Sequence, residues 1–170
     1  YPHSRWNEEV QVGAGQIWMR VTSDGRVVDM NSVEVVGGNF QIRDFAYGDE
    51  GELYLGGHFR GPVDVDPGPG RHVISSISPP GINEAFLAVF EPDGSHRVTR
   101  VWPDARMVVG VVPSDRGVSV ELYGRGPEGA MDLGFGPISC GEDRVVSVVL
   151  DLDEEMNVQT ASAHVTPQAR

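Results

Sequence analysis

Apolar and polar positions alternate along this chain in short runs, and the runs are broken by turns rich in aspartate and glycine. Three segments superpose without gaps: "IWMRVTSDGRVVDMNSV", "FLAVFEPDGSHRVTRVW" and "VSVVLDLDEEMNVQTAS". Each reads as strand, polar turn, strand, because Asp-Gly between two apolar runs is a strong hairpin signal. Asp24-Gly25 corresponds to Asp93-Gly94, and that pair to Asp153-Glu154. With Glu154 standing in place of the glycine, the third turn is expected to differ in backbone type.

A second pair of segments recurs. "FQIRDFAYGDEGELYLGGHFRG" aligns with "MVVGVVPSDRGVSVELYGRGPEG", which pairs Asp49-Glu50-Gly51 with Asp115-Arg116-Gly117. After each comes a Gly/Pro-rich stretch, matched at Val63-Asp64-Val65 and Met131-Asp132-Leu133. One unit is thus strand a, turn, strand b, long loop, strand c, turn, strand d. Complete units fall at about 40–102 and 107–162, and 15–34 reads as strands c and d of a preceding unit. No segment holds a 3.6-residue apolar period long enough for a helix. The expected class is all-β: four-stranded antiparallel meander blades of β-propeller type, about two and a half of them, with a β-sandwich as the alternative. Such units bury their faces only by stacking. Propellers typically close with four to eight blades, so self-association or additional blades are expected, or a strand supplied by residues 1–12.

Composition narrows the functions. The 22 glycines and 12 prolines suit many short elements joined by tight turns. A formal net charge of -12 opposes phosphate backbones and anionic lipid, so neither nucleic acid nor membrane insertion is an expected partner. The single cysteine, Cys140, has no intrachain disulfide partner and is read as an idle or buried thiol.

The run Tyr54 to Gly57, Phe59 to Gly61, "VDVDPGPG" from Val63 to Gly70, Phe86 to Phe90, Asp93-Gly94 and Trp102 resembles the bacterial β-propeller repeat family of large surface and secreted proteins. The second unit resembles it less, with "MDLGFGP" for the turn and no closing Trp. The resemblance implies an extracytoplasmic setting, secreted or at the cell surface.

Successive turns of a meander alternate between ends, so the long b–c loops are expected on one rim and the Asp-Gly turns on the other. Binding concentrates on long loops held by a rigid scaffold. The candidate rim is Arg60, Asp64, Asp66, Arg71, His72, Arg125, Glu128, Asp132 and Phe135. Asp64, Asp66 and Asp132 are the candidate metal ligands, for calcium, although aspartates beside Pro-Gly more commonly cap the turn. "DLDEE" (Asp151, Asp153, Glu155) opens like a calcium loop but lacks its sixth-position glycine and is set aside as an ordinary turn. His3, His58, His72, His96 and His164 form no metal or catalytic motif, and no nucleophile elbow or phosphate loop is present. Trp18, Trp102 and Phe135 could stack on sugars, but the two tryptophans lie inside strands and read as core between blades.

The expectation is a non-catalytic scaffold that binds a protein or glycan partner through its b–c loops, with no cofactor. A lectin-like or calcium-binding propeller, and a fragment of a larger propeller enzyme, are the alternatives.

Overall fold

The structure, a computed structural model, describes residues 15–21, 27–35, 38–68, 70–124, 130–134, 136–139 and 144–167. These are all β, in several antiparallel sheets, none of which closes on itself. Strands β1 (Gly15–Val21) and β2 (Val27–Val35) belong to a first sheet. A middle sheet is a meander of β3 (Asn39–Tyr47), β4 (Leu53–Arg60), β7 (Glu84–Phe90) and β8 (His96–Trp102). The third sheet repeats that order with β9 (Ala105–Ser114), β10 (Gly117–Gly124), β13 (Arg144–Leu152) and β14 (Val158–Pro167). The b–c connections each carry a short hairpin: β5 (Pro62–Asp64) with β6 (Val73–Ser75), and β11 (Ala130–Asp132) with β12 (Pro137–Ser139).

The inner strands of the middle sheet, β4 and β7, are buried on both faces, which explains why "EAFLAVF" in β7 is apolar without alternation. Phe86, Ala88 and Phe90 join Val33, Phe40, Leu55 and Phe59 in one core. Ala85, Leu87 and Val89 face the other way, joining Val108, Val120, Leu122, Val148 and Leu150 of the third sheet in a second core. Each fully buried Phe, Leu or Val contributes about 1.5–3 kcal/mol, so these two interfaces hold the layers together. Gly56 lets the layers approach. A Cβ there would lie 2.4 Å from Cγ1 of Val108 and 2.8 Å from Cγ2 of Val111. One polar link also crosses this interface: the Val111 amide donates to Oδ2 of Asp44 (2.8 Å).

The opening Val-Asp-Val of the Gly/Pro-rich stretch now has a physical reading. Alternation puts Val63 and Val65 into the first core, with Ile74, and turns Asp64 the other way. The hairpin joins the edge of β2, so the first sheet runs β1-β2-β5-β6. The second hairpin drives Met131 and Leu133 into the second core in the same manner. It forms no ladder with β8, because Pro103 has no N–H to contribute there. Instead the Asp132 amide donates to Oδ2 of Asp104 (2.9 Å).

The three-residue turns corrected one expectation. Around Gly94 (φ 87) the Gly94 amide donates to the Glu91 carbonyl (2.8 Å), and the Glu91 amide to Ser95 O (2.9 Å). The third turn has the same pattern: Met156 N to Asp153 O (2.9 Å) and Asp153 N to Asn157 O (3.0 Å). Met156 (φ 66), and not Glu154, therefore takes the place of Gly94, and the turn type is shared. The left-handed conformation costs a non-glycine residue about 1–2 kcal/mol, and burial of the Met156 side chain (3% exposed) offsets it.

Candidate functional site

The folding-back of the hairpins changes where the sequence-predicted site residues lie. The b–c residues do not all emerge on a rim opposite the Asp-Gly turns. β5 runs back from Arg60, and the hairpin tip brings His72 onto His96, the residue that opens β8 just after the Asp93-Gly94 turn. The two imidazoles stack with centroids 4.3 Å apart, and Phe90 meets His96 edge-on at 5.7 Å. His58 is buried against Asn39 (Nδ2 to Nε2, 3.5 Å).

The aspartates at the tip are occupied with backbone. Oδ1 of Asp64 accepts from the amides of His72 (2.8 Å) and Asp66 (3.3 Å), and Arg71 lies 3.8 Å from its Oδ2. Oδ1 of Asp66 accepts from Gly68 N (2.8 Å), and Oδ1 of Asp132 from Gly134 N (2.8 Å). Three carboxylates on two hairpins thus each cap their own turn. Among the described residues no group of three or more His, Cys, Asp or Glu is arranged to hold a metal ion. Arg60 and Arg71 are exposed. Arg125, Glu128 and Phe135, together with Cys140, residues 1–12 and the Asp24-Gly25 turn, lie outside the described residues, as does the Trp18 side chain. Trp102 is 2% exposed within the second core, with the Arg100 guanidinium 5.6 Å over its ring.

The stacked histidine pair makes stability sensitive to acid. Burial, and then the neighbouring His72, hold the His96 imidazole below its ordinary proton affinity, against a weaker opposite pull from Asp66 and Asp64. Burial, with Arg43 second, does the same to His58. An unfolded chain therefore binds protons more readily than the native one. The stability these groups contribute is present above an unfolded histidine pKa of about 6.5 and is lost as pH falls through and below it. The melting temperature should fall between pH 8 and pH 5.5, and fall less in His96→Gln, whose amide can still meet Thr99. Equal acid sensitivity in both proteins would contradict this assignment.

Sequence reading missed two features. The first is Glu84, fully buried at the head of β7. Its Oε1 accepts from Ser76 Oγ (2.9 Å), Ile77 N (2.7 Å) and Ser78 N (2.5 Å), while Oε2 has no partner among the described residues. It ties the segment leaving β6 to the sheet. In "NEAFLAVF" it reads only as a polar flank, and no sequence signal separates it from a solvated glutamate.

The second is a cleft of about 600 Å³ between the turns of the middle and third sheets. Asp49, Glu50, Glu52 and Glu91 come from the middle sheet, and Asp115 and Glu154 from the third. Arg97 crosses it, with Nη2 donating to the Glu154 carbonyl (3.3 Å) and Nε 3.7 Å from Oε1 of Glu91. Tyr54 forms part of the wall. Burial, then Glu52, raises the proton affinity of its hydroxyl, and Glu154 and Glu91 act in the same direction. At the opposite end a shallower depression of about 300 Å³ lies beside Ile77, Pro79 and Ile82.

No family model, no curated protein and no solved structure matches this chain.

Proposed function

We propose that this chain is a non-catalytic scaffold of propeller-type stacked blades that captures a partner on the rim formed by its short a–b and c–d turns. The observation that carries this reading is the acidic cleft, which exists only because two sheets stack. Four turns, far apart in sequence, supply its carboxylates, and Tyr54 and Arg97 are held among them by strands. The hairpins first expected to bind are committed to packing through Val63, Val65, Met131 and Leu133. An extracytoplasmic setting and a bacterial source belong to the same proposal and rest on the sequence resemblance.

The blade stack is asymmetric. Tyr54, Val89, Val98 and Trp102 of the middle sheet face the third; the matching ladder positions on the third sheet's far face are Ser119, Asp151, Thr160 and His164. Glu121 stands where Gly56 does, and accepts from Ser147 Oγ (2.5 Å). Asp151 accepts from the hydroxyls of Ser119 and Thr160. Val112 and Tyr123 stand exposed on this same face, so it mixes apolar and polar positions.

Affinity capture with charge-reversed variants tests the rim. Asp49→Lys with Asp115→Lys should abolish partner retention while melting is unchanged, and Arg71→Glu on the hairpin should leave retention intact. Retention that survives the acidic-rim reversal sinks the assignment. Binding in a glycan screen, or a melting temperature lowered by chelator, would favour a lectin-like or calcium-dependent module instead.

A further inference from the structure

We propose that the acidic cleft is a site for an organic cation, a primary ammonium or guanidinium group, which hydrogen-bonds to the hydroxyl of Tyr54. This deepens the scaffold reading and rests on it for the choice of rim. Three observations converge. The walls set six carboxylates against one guanidinium, so an added positive charge is attracted from several sides at once. The Tyr54 side chain is only 6% exposed and lines the cleft, and its hydroxyl has no hydrogen-bond partner among the described residues. The hydroxyl itself opens to the cleft, free to donate or accept there. Finally, Arg97 already spans from Glu91 to the Glu154 backbone, so the cleft accommodates a guanidinium between its two sheets.

The geometry also separates this ligand from a metal ion. A hard cation such as calcium requires six or more oxygens at about 2.3–2.6 Å. The carboxylates here are spread around an open space, and among the described residues none gather into a metal-holding group. A volume of about 600 Å³ falls in the range of small-ligand pockets and far exceeds a single ion. An alkylammonium chain fits both facts: its charges are spaced along a flexible stem, and each ammonium offers three donors. Tyr54 supplies one acceptor, while Glu52 and Glu91 of the middle sheet and Glu154 of the third flank it.

The chemistry has two sources, a lysine- or arginine-bearing segment of a partner polypeptide or a free polyamine. Titration calorimetry of the whole chain with a short oligolysine peptide and with spermidine, at matched ionic strength, separates them. Binding of either supports the proposal, and the tighter of the two names the source. Tyr54→Phe should weaken binding about tenfold with melting unchanged, since a hydrogen bond to a charged group is lost but the ring stays in the core. Glu52→Gln with Glu154→Gln should weaken it further and flatten its salt dependence.

Tyr54→Phe binding like the parent, or calcium chloride competing equally at the same charge concentration, overturns the site in favour of a diffuse acidic surface. If neither cation binds while rim-dependent capture persists, this inference falls and the scaffold reading survives. If both cations bind but capture ignores the acidic rim, the reverse holds.

Discussion

Gly56→Val should lower stability by about 3 kcal/mol, at the upper end of the usual penalty for overpacking. Valine would bring strand propensity to β4 and remove glycine's entropic disadvantage, a gain of roughly 0.5–1 kcal/mol. Sterics outweigh it. The first added carbon would already overlap methyl groups of Val108 and Val111, and those belong to β9, packed into the second core with Ala105 and Val120. Relief requires the third sheet to move away from the middle one, which exposes the apolar surface that joins them. Glu121→Ala at the matching position of the third sheet is the control. Glu121 is exposed, and no sheet among the described residues is stacked over it, so the change should stay within about 0.5 kcal/mol. Chemical denaturation of both variants decides the matter, and a parental midpoint for Gly56→Val would mean that the sheets do not touch there.

Removal of the Glu84 carboxylate should have a comparable effect by a different route. Glu84→Ala strips the shared acceptor from Ser76, Ile77 and Ser78 and leaves a void at the fully buried head of β7. Three hydrogen bonds at about 0.5–1.5 kcal/mol each are lost, so a loss of about 3 kcal/mol is expected in all. Glu84→Gln retains an acceptor oxygen and the side-chain shape, and sets its amide NH2 where the unpartnered oxygen stood. It should lose no more than about 1 kcal/mol. Hydrogen exchange of the Ile77 and Ser78 amides provides the local readout: fast in Ala, protected in Gln. Equal loss in both variants would show that the acceptor oxygen does not hold the loop.

Much of the architecture was legible because strands write their periodicity into the chain. The all-β class and the c–d turn at Asp93-Gly94 follow from apolar runs bounded by turn residues. The turn-capping role of Asp64, Asp66 and Asp132 followed from aspartate beside glycine and proline. Other features were hidden for definite reasons. Met156 in a glycine's conformation has no sequence mark, because its side chain is kept by a core that lies elsewhere in the chain. Val-Asp-Val looked like a loop because three residues are too few to show a period.

The cleft was illegible altogether. Asp49, Glu91, Asp115 and Glu154 each sit in an ordinary polar turn, and any one of them alone is a solvated carboxylate. What the residue order determined by itself was local: which segments extend, where they reverse, and which faces avoid water. What the tertiary structure decided was adjacency. Burying both faces of the middle sheet forces turns remote in sequence onto one rim, and only there do Tyr54, Arg97 and six acidic side chains share a single space.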